Sequence, residues 1–444
     1  MICIGNGQGF WGDWLEGPVR LVEGGRLDYL TLDYLAEVTM SILQKQRKKD
    51  PQLGYARDFP PLIARISKRI EDARIRVIAN AGGVNPVACA KEVRRLAPGL
   101  KVAVVLGDDI LDGIDDLLES GEELRNMDTG EPISNIRGQI ESANVYLGAF
   151  PLAEALRTGA DVVITGRCAD AALSLAPMIY EFGWKQDDLD LLASGIVAGH
   201  VIECSTQATG GNCQLDWQST PDFAHIGFPV IEASGNGEMV ITKHTGTGGR
   251  VTQGTVKEQL LYEIGDPAQY MTPDVIADFR TIQLSDDGPD RVRISGVKGS
   301  PRPEKLKASV SYHYGWKAIG TLVYSAPDAF EKAQVADRMV RQRLSELSLR
   351  FEKIHTEFLG VNACHAHLAP VLDEPAEVQL RIGARSPDKE SIERFTRELI
   401  PLVLNGPPTA TGYGEGRPRV REVVAYWPAL VPRDAVSPRV EVIE

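Results

Sequence analysis

The feature that most constrains this chain is the regular exchange of short apolar runs for helical patterns through its first 182 residues. The runs predict strands at residues 2–4, 29–32, 76–79, 102–106, 144–147 and 162–165. Between them, apolar positions at helical spacing predict helices at 35–47, 60–73, 86–96, 111–120, 152–158 and 171–182. Strand followed by helix, repeated this often, implies an α/β fold: a mostly parallel sheet with helices on both faces, Rossmann-like in character. Helices of such unequal length favour an open sheet over a closed barrel. In either architecture a ligand binds beyond the carboxyl ends of the strands, so the loops that follow the strands are the ones to read.

Beyond residue 285 the pattern changes. Asp286-Asp-Gly-Pro-Asp290 reads as a linker or turn, and two strand-like runs, KASVSYHYG and KAIGTLVYS, flank Gly315 and Trp316. Helices are expected at 329–347 and 388–403, and strands at 350–357, 377–385, 420–426 and 439–443. This mixture predicts a smaller α+β domain, residues 286–444, closing the cleft of an α/β ligand-binding or catalytic domain, residues 1–285.

Composition restricts the partners. A hydrophobic content of 43% and a charged content of 25% are those of a soluble globular protein. No apolar run approaches the roughly 18 residues of a membrane span. The chain opens on MICIGNGQG, without a basic n-region or an apolar h-region, so a cytoplasmic location is expected. A net charge of −13 argues against a nucleic-acid partner and leaves small molecules as ligands. The six cysteines form no CxxC pair, which speaks against a disulfide framework or a zinc ribbon. A homo-oligomer is expected.

The strand-end loops are rich in Gly, Asn, Asp and Arg. Asn6, Gly7 and Gly9 form a backbone cradle that matches GxGxxG through Gly12, with Asp33 about where a ribose-binding acid would stand. A dinucleotide fingerprint must open a long helix, however, and this loop leads into DWLEGP, which starts only a short one. The cradle therefore suits a substrate rather than a nicotinamide or flavin. Asp13, Asp33 and Asp108, with Asp109 and Asp170, form a carboxylate pool that can push pKa values apart and supply an acid and a base. Asp170, just before a helical pattern, also reads as a helix cap. Asn80 and the amides of Gly82 and Gly83 are candidate substrate contacts and oxyanion donors, and Arg167 is a candidate bidentate partner for a carboxylate or phosphate.

Between residues 200 and 262 the chain carries a TGGN turn with Asn212 and the loop HTGTGGR, containing His244, Gly246, Thr247, Gly248, Gly249 and Arg250. A TVKE capping box, with Thr255 as cap and Glu258 bonding back, predicts a helix immediately afterwards. Loop amides and a helix N-terminus together make an anion site. His200 and Cys204 lie in a strand-like run, and His365-Ala-His367 would place two imidazoles on one strand face without a third ligand nearby, so no metal site is assigned. Nucleophilic catalysis has no GxSxG motif to rest on.

Taken together, several stretches resemble the acyclic terpene utilisation (AtuA) family: GNGQGFWGD at 5–13, LDYLAEVTMSIL at 32–43, NAGGVNP at 80–86, GADVVITGRCADAA at 159–172, ATGGN at 208–212, IGFPVIE at 226–232, TKHTGTGG at 242–249, ISGVKGSP at 294–301 and WPALVPR at 427–433. The resemblance runs essentially end to end. It implies a catabolic role, with relatives needed for growth on citronellol-like terpenes and associated with acyl-CoA carboxylases, lyases and hydratases. Longer relatives carry a further small domain of about a hundred residues, a common domain size, so a separately encoded small companion protein is an expected partner. The leading expectation is acid/base chemistry on a branched or terpenoid acyl-CoA or related carboxylic acid: hydration, dehydration or C–C lysis. Asp13, Asp33, Asp108 and His244 form the acid/base pool, and no cofactor is expected beyond CoA as part of the substrate. A non-catalytic acyl-CoA or metabolite-binding subunit and a metal-dependent hydrolase are the alternatives.

Overall fold

A computed structural model describes residues 1–370, 374–412 and 416–444. The chain forms two compact units, one of residues 1–311 with 426–444 and one of residues 312–425. Residues 286–311 and 426–444, which the sequence reading assigns to the second domain, thus pack with the first unit.

The first unit begins as the periodicity predicts, with β1 (Ile2–Asn6), α1 (Glu16–Gly24), β2 (Tyr29–Leu32), α2 (Thr39–Lys49), α3 (Phe59–Ala73), β3 (Arg76–Ala79), α4 (Pro86–Leu96) and β4 (Val102–Leu106). Then come α5 (Ile114–Glu119), β5 (Ile140–Val145), α6 (Ala149–Arg157), β6 (Val162–Thr165), α7 (Ala172–Phe182) and α8 (Leu189–Glu203). Next are β7 (Pro229–Ala233), β8 (Met239–Lys243), α9 (Gln253–Leu261), β9 (Tyr270–Met271), β10 (Ile276–Asp278), β11 (Gln283–Asp286), β12 (Val292–Ser295) and β13 (Lys298–Ser300). Strand β14 (Lys305–Ser325) leads into the second unit, which contains α10 (Ala329–Glu346), β15 (Lys353–Leu359), β16 (Glu377–Ser386), α11 (Lys389–Leu399) and α12 (Leu402–Asn405). Strand β17 (Arg421–Pro432) returns to the first unit, and β18 (Arg439–Ile443) closes the chain.

The main sheet has the order β11-β12-β8-β7-β1-β2-β3-β6-β4-β18 and is open, as the unequal helices suggest. Its centre, β1-β2-β3-β6-β4, is parallel, whereas β7, β8, β12, β11 and β18 join in antiparallel pairs, so the sheet as a whole is mixed. The central strands are buried almost throughout, which is why they read as uninterrupted apolar runs. Alternate residues Leu30, Leu32, Val77, Ala79, Val102, Val104, Val162 and Ile164 share one core with Val19, Ile63, Ile66 and Val93 of α1, α3 and α4. Helices α6, α7 and α8 form another packed group that also contacts the sheet.

Several local expectations are corrected. Of the two readings of Asp286–Asp290, linker or turn, the turn holds: it closes the β11/β12 hairpin, where Asp287 N–H donates to the Arg291 carbonyl at 3.0 Å and Asp287 pairs with Arg291 and Arg293. KASVSYHYG and KAIGTLVYS belong to one 21-residue strand, which passes Gly315 at φ +88 without turning back. The capping box of α9 lies one turn earlier, between Thr252 and Thr255, because the Glu258 carboxylate instead accepts from the Gln214 and Leu215 amides at 2.8 and 2.7 Å. His200 belongs to helix α8 and not to a strand; that helix is apolar nearly all round and buried from Leu192 to Ile202, so it lacks an amphipathic signature. His365 and His367 fall in a turn and a 3₁₀ segment, which removes the shared strand face.

In the second unit β14, α10, β15, β16, α11 and β17 follow one another with sheet order β15-β16-β14-β17, a split βαβ arrangement. Alternating residues of β16 (Val378, Leu380, Ile382, Ala384) face Ala333, Ala336 and Val340 of α10 and Ile392, Phe395 and Leu399 of α11.

Candidate functional site

Four adjacent parallel strands, β2, β3, β6 and β4, end in Asp33, Asn80, Gly166-Arg167 and Asp108. Asn80 is fully buried and joins the first two loops: its Nδ2 donates to Asp33 Oδ1 at 2.6 Å and its Oδ1 accepts from the Tyr34 amide at 2.7 Å. Asp33 Oδ1 also accepts from the Leu35 amide at 3.1 Å. At the next step the Gly82 amide donates to the Thr165 carbonyl at 3.1 Å, and a Cβ at Gly82 would stand 2.6 Å from that oxygen. Asp108 Oδ2 then accepts from the Arg167 amide at 2.8 Å and from Asn144 Nδ2 at 2.9 Å. A row of polar contacts thus ties the four strand ends together and fixes the backbone of Arg167.

Arg167 is the centre of this arrangement, with a relative exposure of 1%. Its guanidinium donates to the Leu35 carbonyl, lies 4.2 Å from the Tyr146 ring centroid and stands 3.4 Å from Asp170 Oδ1. Neither Arg167 Nε nor Asp170 Oδ1 has a hydrogen-bond partner. Asp170 does not cap α7, which begins without a side-chain cap.

Two neighbouring cavities share Glu37, Arg167, Asp170, Glu203 and Glu263. The first, about 420 Å³, is polar and also lined by Gly9, Asp13, Asp33, Gln207 and Asn212. The second, about 370 Å³, is more apolar, with Tyr146, Tyr270, Met271, Leu306 and Leu430 on its walls and Lys305 and Lys307 at its edge. Carboxyl groups crowd the shared wall, and burial sets their ionisation. It raises Asp33 to about 6 against the opposing pull of Arg167. Burial, reinforced by the charge of Asp33, pushes Asp170 well above the ordinary carboxylate range.

Sequence reasoning did not assign His200 and Glu203 to the site. On α8 they stand one turn apart, with His200 Nδ1 2.8 Å from Glu203 Oε1, while His200 Nε2 and Glu203 Oε2 have no hydrogen-bond partner. Burial opposes protonation of His200, but the adjacent Glu203 outweighs it and raises the imidazole pKa. The ring packs on Tyr270 and Phe279, with centroids 5.2 and 5.6 Å away. The available signal was the i, i+3 spacing of His200 and Glu203, visible only once the segment is read as a helix.

The remaining candidates divide. Asp13 lines the first cavity, but its carboxylate is engaged by the Gly9 amide at 3.0 Å and the Trp14 amide at 2.7 Å. A Cβ on Gly9 would lie 2.9 Å from the Ser205 amide nitrogen, so this glycine permits a close backbone approach. Asn6 does not face the cavity: its Nδ2 donates to the Ile202 and Glu203 carbonyls at 2.8 and 3.0 Å and anchors the end of α8. The Gly7 amide donates to the Thr31 carbonyl at 3.0 Å. The Gly83 amide is likewise taken, by the Asn80 carbonyl at 3.3 Å, so both proposed oxyanion donors are already bonded, Gly82 to Thr165 at the end of β6 and Gly83 within its own turn. Asp108 lines neither cavity, and burial raises its pKa to about 7.

The HTGTGGR loop is not brought to these cavities. Its amides are used locally: Thr247 on the His244 carbonyl at 3.4 Å, Gly248 on His225 at 2.8 Å, Gly249 on Pro221 at 2.7 Å and Arg250 on Thr209 at 2.8 Å. Gly246 supplies a positive φ of 81 at the turn. The Arg250 side chain holds Leu215, Asp216 and Ser219, which removes it as an anion anchor. His244 packs on Gly24 and Gly25 with Nε2 3.3 Å from the Arg26 carbonyl, and burial lowers its pKa.

Fold and site define a mixed α/β protein with a buried arginine and an array of carboxyl groups at the carboxyl ends of its parallel strands. The chain belongs to the acyclic terpene utilisation family, AtuA, whose model matches residues 2–442, and is therefore a terpene-utilisation-related protein. No curated protein matches it. Among the described residues, no helix is long and apolar enough to cross a membrane.

Proposed function

We propose that this protein is a catabolic enzyme acting on a branched or terpenoid acyl-CoA, or the related carboxylic acid, by proton transfer at the carbon next to the carbonyl. Hydration, dehydration and C–C lysis all share that step. The observation that carries the reading is the placement of Asp33 and Asp170 beside Arg167 on one cavity wall. A carboxyl group near pH 6 is mostly ionised at neutral pH and serves as a base. One held well above the ordinary range keeps its proton and serves as an acid.

In the dehydration direction, Asp33 takes the proton from the α-carbon and the C–H electron pair forms an enolate. The unpartnered Arg167 N–H donates to the enolate oxygen. Asp170 delivers its proton to the β-hydroxyl, the C–O bond breaks, and water leaves. The apolar walls at Tyr146, Tyr270, Met271, Leu306 and Leu430 suit a branched hydrocarbon chain.

The test is conversion of a 3-hydroxy-3-methylacyl-CoA to the enoyl-CoA, followed by thioester absorbance. Asp33→Asn and Asp170→Asn should each lower kcat by about a hundredfold or more, the usual scale of a lost acid or base. Undiminished turnover in both variants would remove the carboxyl pair from the mechanism.

A further inference from the structure

The second unit holds a cavity that the reading above does not use. It is about 280 Å³ and lies beside β14, where Lys317, Ile319 and Thr321 meet the segment containing Arg417, Pro418, Arg419 and Arg421. Residues of one strand two apart point to the same side, and Lys317 and Ile319 are both exposed, whereas the alternate residues Ala318 and Gly320 are buried. Arg417, Arg419 and Arg421 have the same spacing and are likewise exposed, with Pro418 and Val420 less so. Four cationic side chains therefore line one small hollow.

Their pairing is informative. On the adjoining strand Arg381 is neutralised by Glu357 and Arg385 by Glu352, the latter at 2.6 Å. By contrast, the side chains of Lys317, Arg417 and Arg421 make no ion pair or hydrogen bond, and no carboxylate lines the cavity, among the described residues. In a chain with a net charge of −13, acids are not scarce. The three cations Lys317, Arg417 and Arg421, without a counter-charge among the described residues, repel one another and gain when an anion binds between them. Arginine presents a planar fork that matches phosphate oxygens, and lysine adds a point charge.

We propose that this hollow is a binding site for a phosphate or diphosphate group of a small molecule. Its volume suits a phosphorylated headgroup rather than a polymer, and the charge of the whole chain disfavours nucleic acid. Free diphosphate and the 3′-phosphorylated nucleotide portion of CoA offer the same chemistry. The site is independent of the proposed reaction.

Isothermal titration of the full chain with inorganic diphosphate, and separately with adenosine 3′,5′-bisphosphate, tests it. Binding is expected to weaken at least tenfold in Lys317→Ala and in Arg421→Ala and to weaken with added salt. Arg338→Ala, an exposed change on α10, should leave it unaltered. Tighter binding of the bisphosphate would identify a nucleotide site, and equal or tighter binding of diphosphate a simple phosphate site. Absence of binding by both probes, or equal affinity in wild type and both cavity variants, would overturn the proposal.

Discussion

Asp108 shows what burial does to a single side chain. It sits under the Arg167 backbone with a relative exposure of 3% and holds its proton up to about pH 7. In the unfolded chain it ionises near the ordinary value of 3.8. Between those limits the folded state binds the extra proton, so stability falls as pH rises. The shift corresponds to something on the order of 4 kcal/mol. Asp33 and Asp274, each raised to about 6 by burial, add to the same trend. The unfolding free energy should therefore decline between pH 4 and pH 7, and Asp108→Asn should flatten that decline. A difference between wild type and Asp108→Asn that stays constant with pH over this interval in denaturant titrations would contradict the raised pKa of Asp108.

The same residues show where sequence is readable. Asp33, Arg167 and Asp170 stand out because they follow short apolar strands, and strand ends are where an α/β fold gathers its site. What sequence cannot distinguish is a carboxylate that lines a cavity from one that is walled in. Asp108 and Asp33 occupy equivalent strand-end positions, yet Asn144 and the Arg167 amide enclose only the former. The glycine-rich loop misleads for a related reason: its amides find carbonyls from residues 209, 221 and 225, partners that appear only in three dimensions.

At the scale of elements, β2, β3, β4 and β6 keep their predicted bounds because buried parallel strands leave a continuous apolar run. Helix α8 escapes the same reading because it too is apolar on every side, and its spacing carries no face. The position of α9 rests on its cap. Thr252 accepts from the Thr255 amide at 3.2 Å while Thr255 Oγ1 accepts from the Thr252 amide at 3.0 Å. Thr252→Ala should cost about 1 kcal/mol of unfolding free energy. The corresponding change at Thr255, which is buried, removes the return bond, a side-chain bond to the Thr252 carbonyl and a packed methyl group, so it should cost at least as much. Equal stability of Thr252→Ala and wild type in a urea titration would show that the cap does not set this helix.

At the scale of the molecule, the two cavities with a shared wall lie in the first unit, lined by the loops that follow three of its five parallel strands, β1, β2 and β6. Strand-helix alternation makes those loops readable in the sequence. The return of residues 426–444 to this unit is not readable, because β18 joins the edge of β4 by antiparallel pairing after more than a hundred residues spent in the second unit.

The central claim is that Asp33 removes a proton from carbon beside a carbonyl. Incorporation of solvent deuterium at the α-carbon of a 3-methyl-branched acyl-CoA, followed by mass spectrometry, measures that step whatever the net reaction. Wild type should exchange, with the rate falling below about pH 6 as Asp33 takes up its proton. Asp33→Asn should reduce exchange by about a hundredfold. No exchange by wild type, or exchange undiminished in Asp33→Asn, would contradict the account.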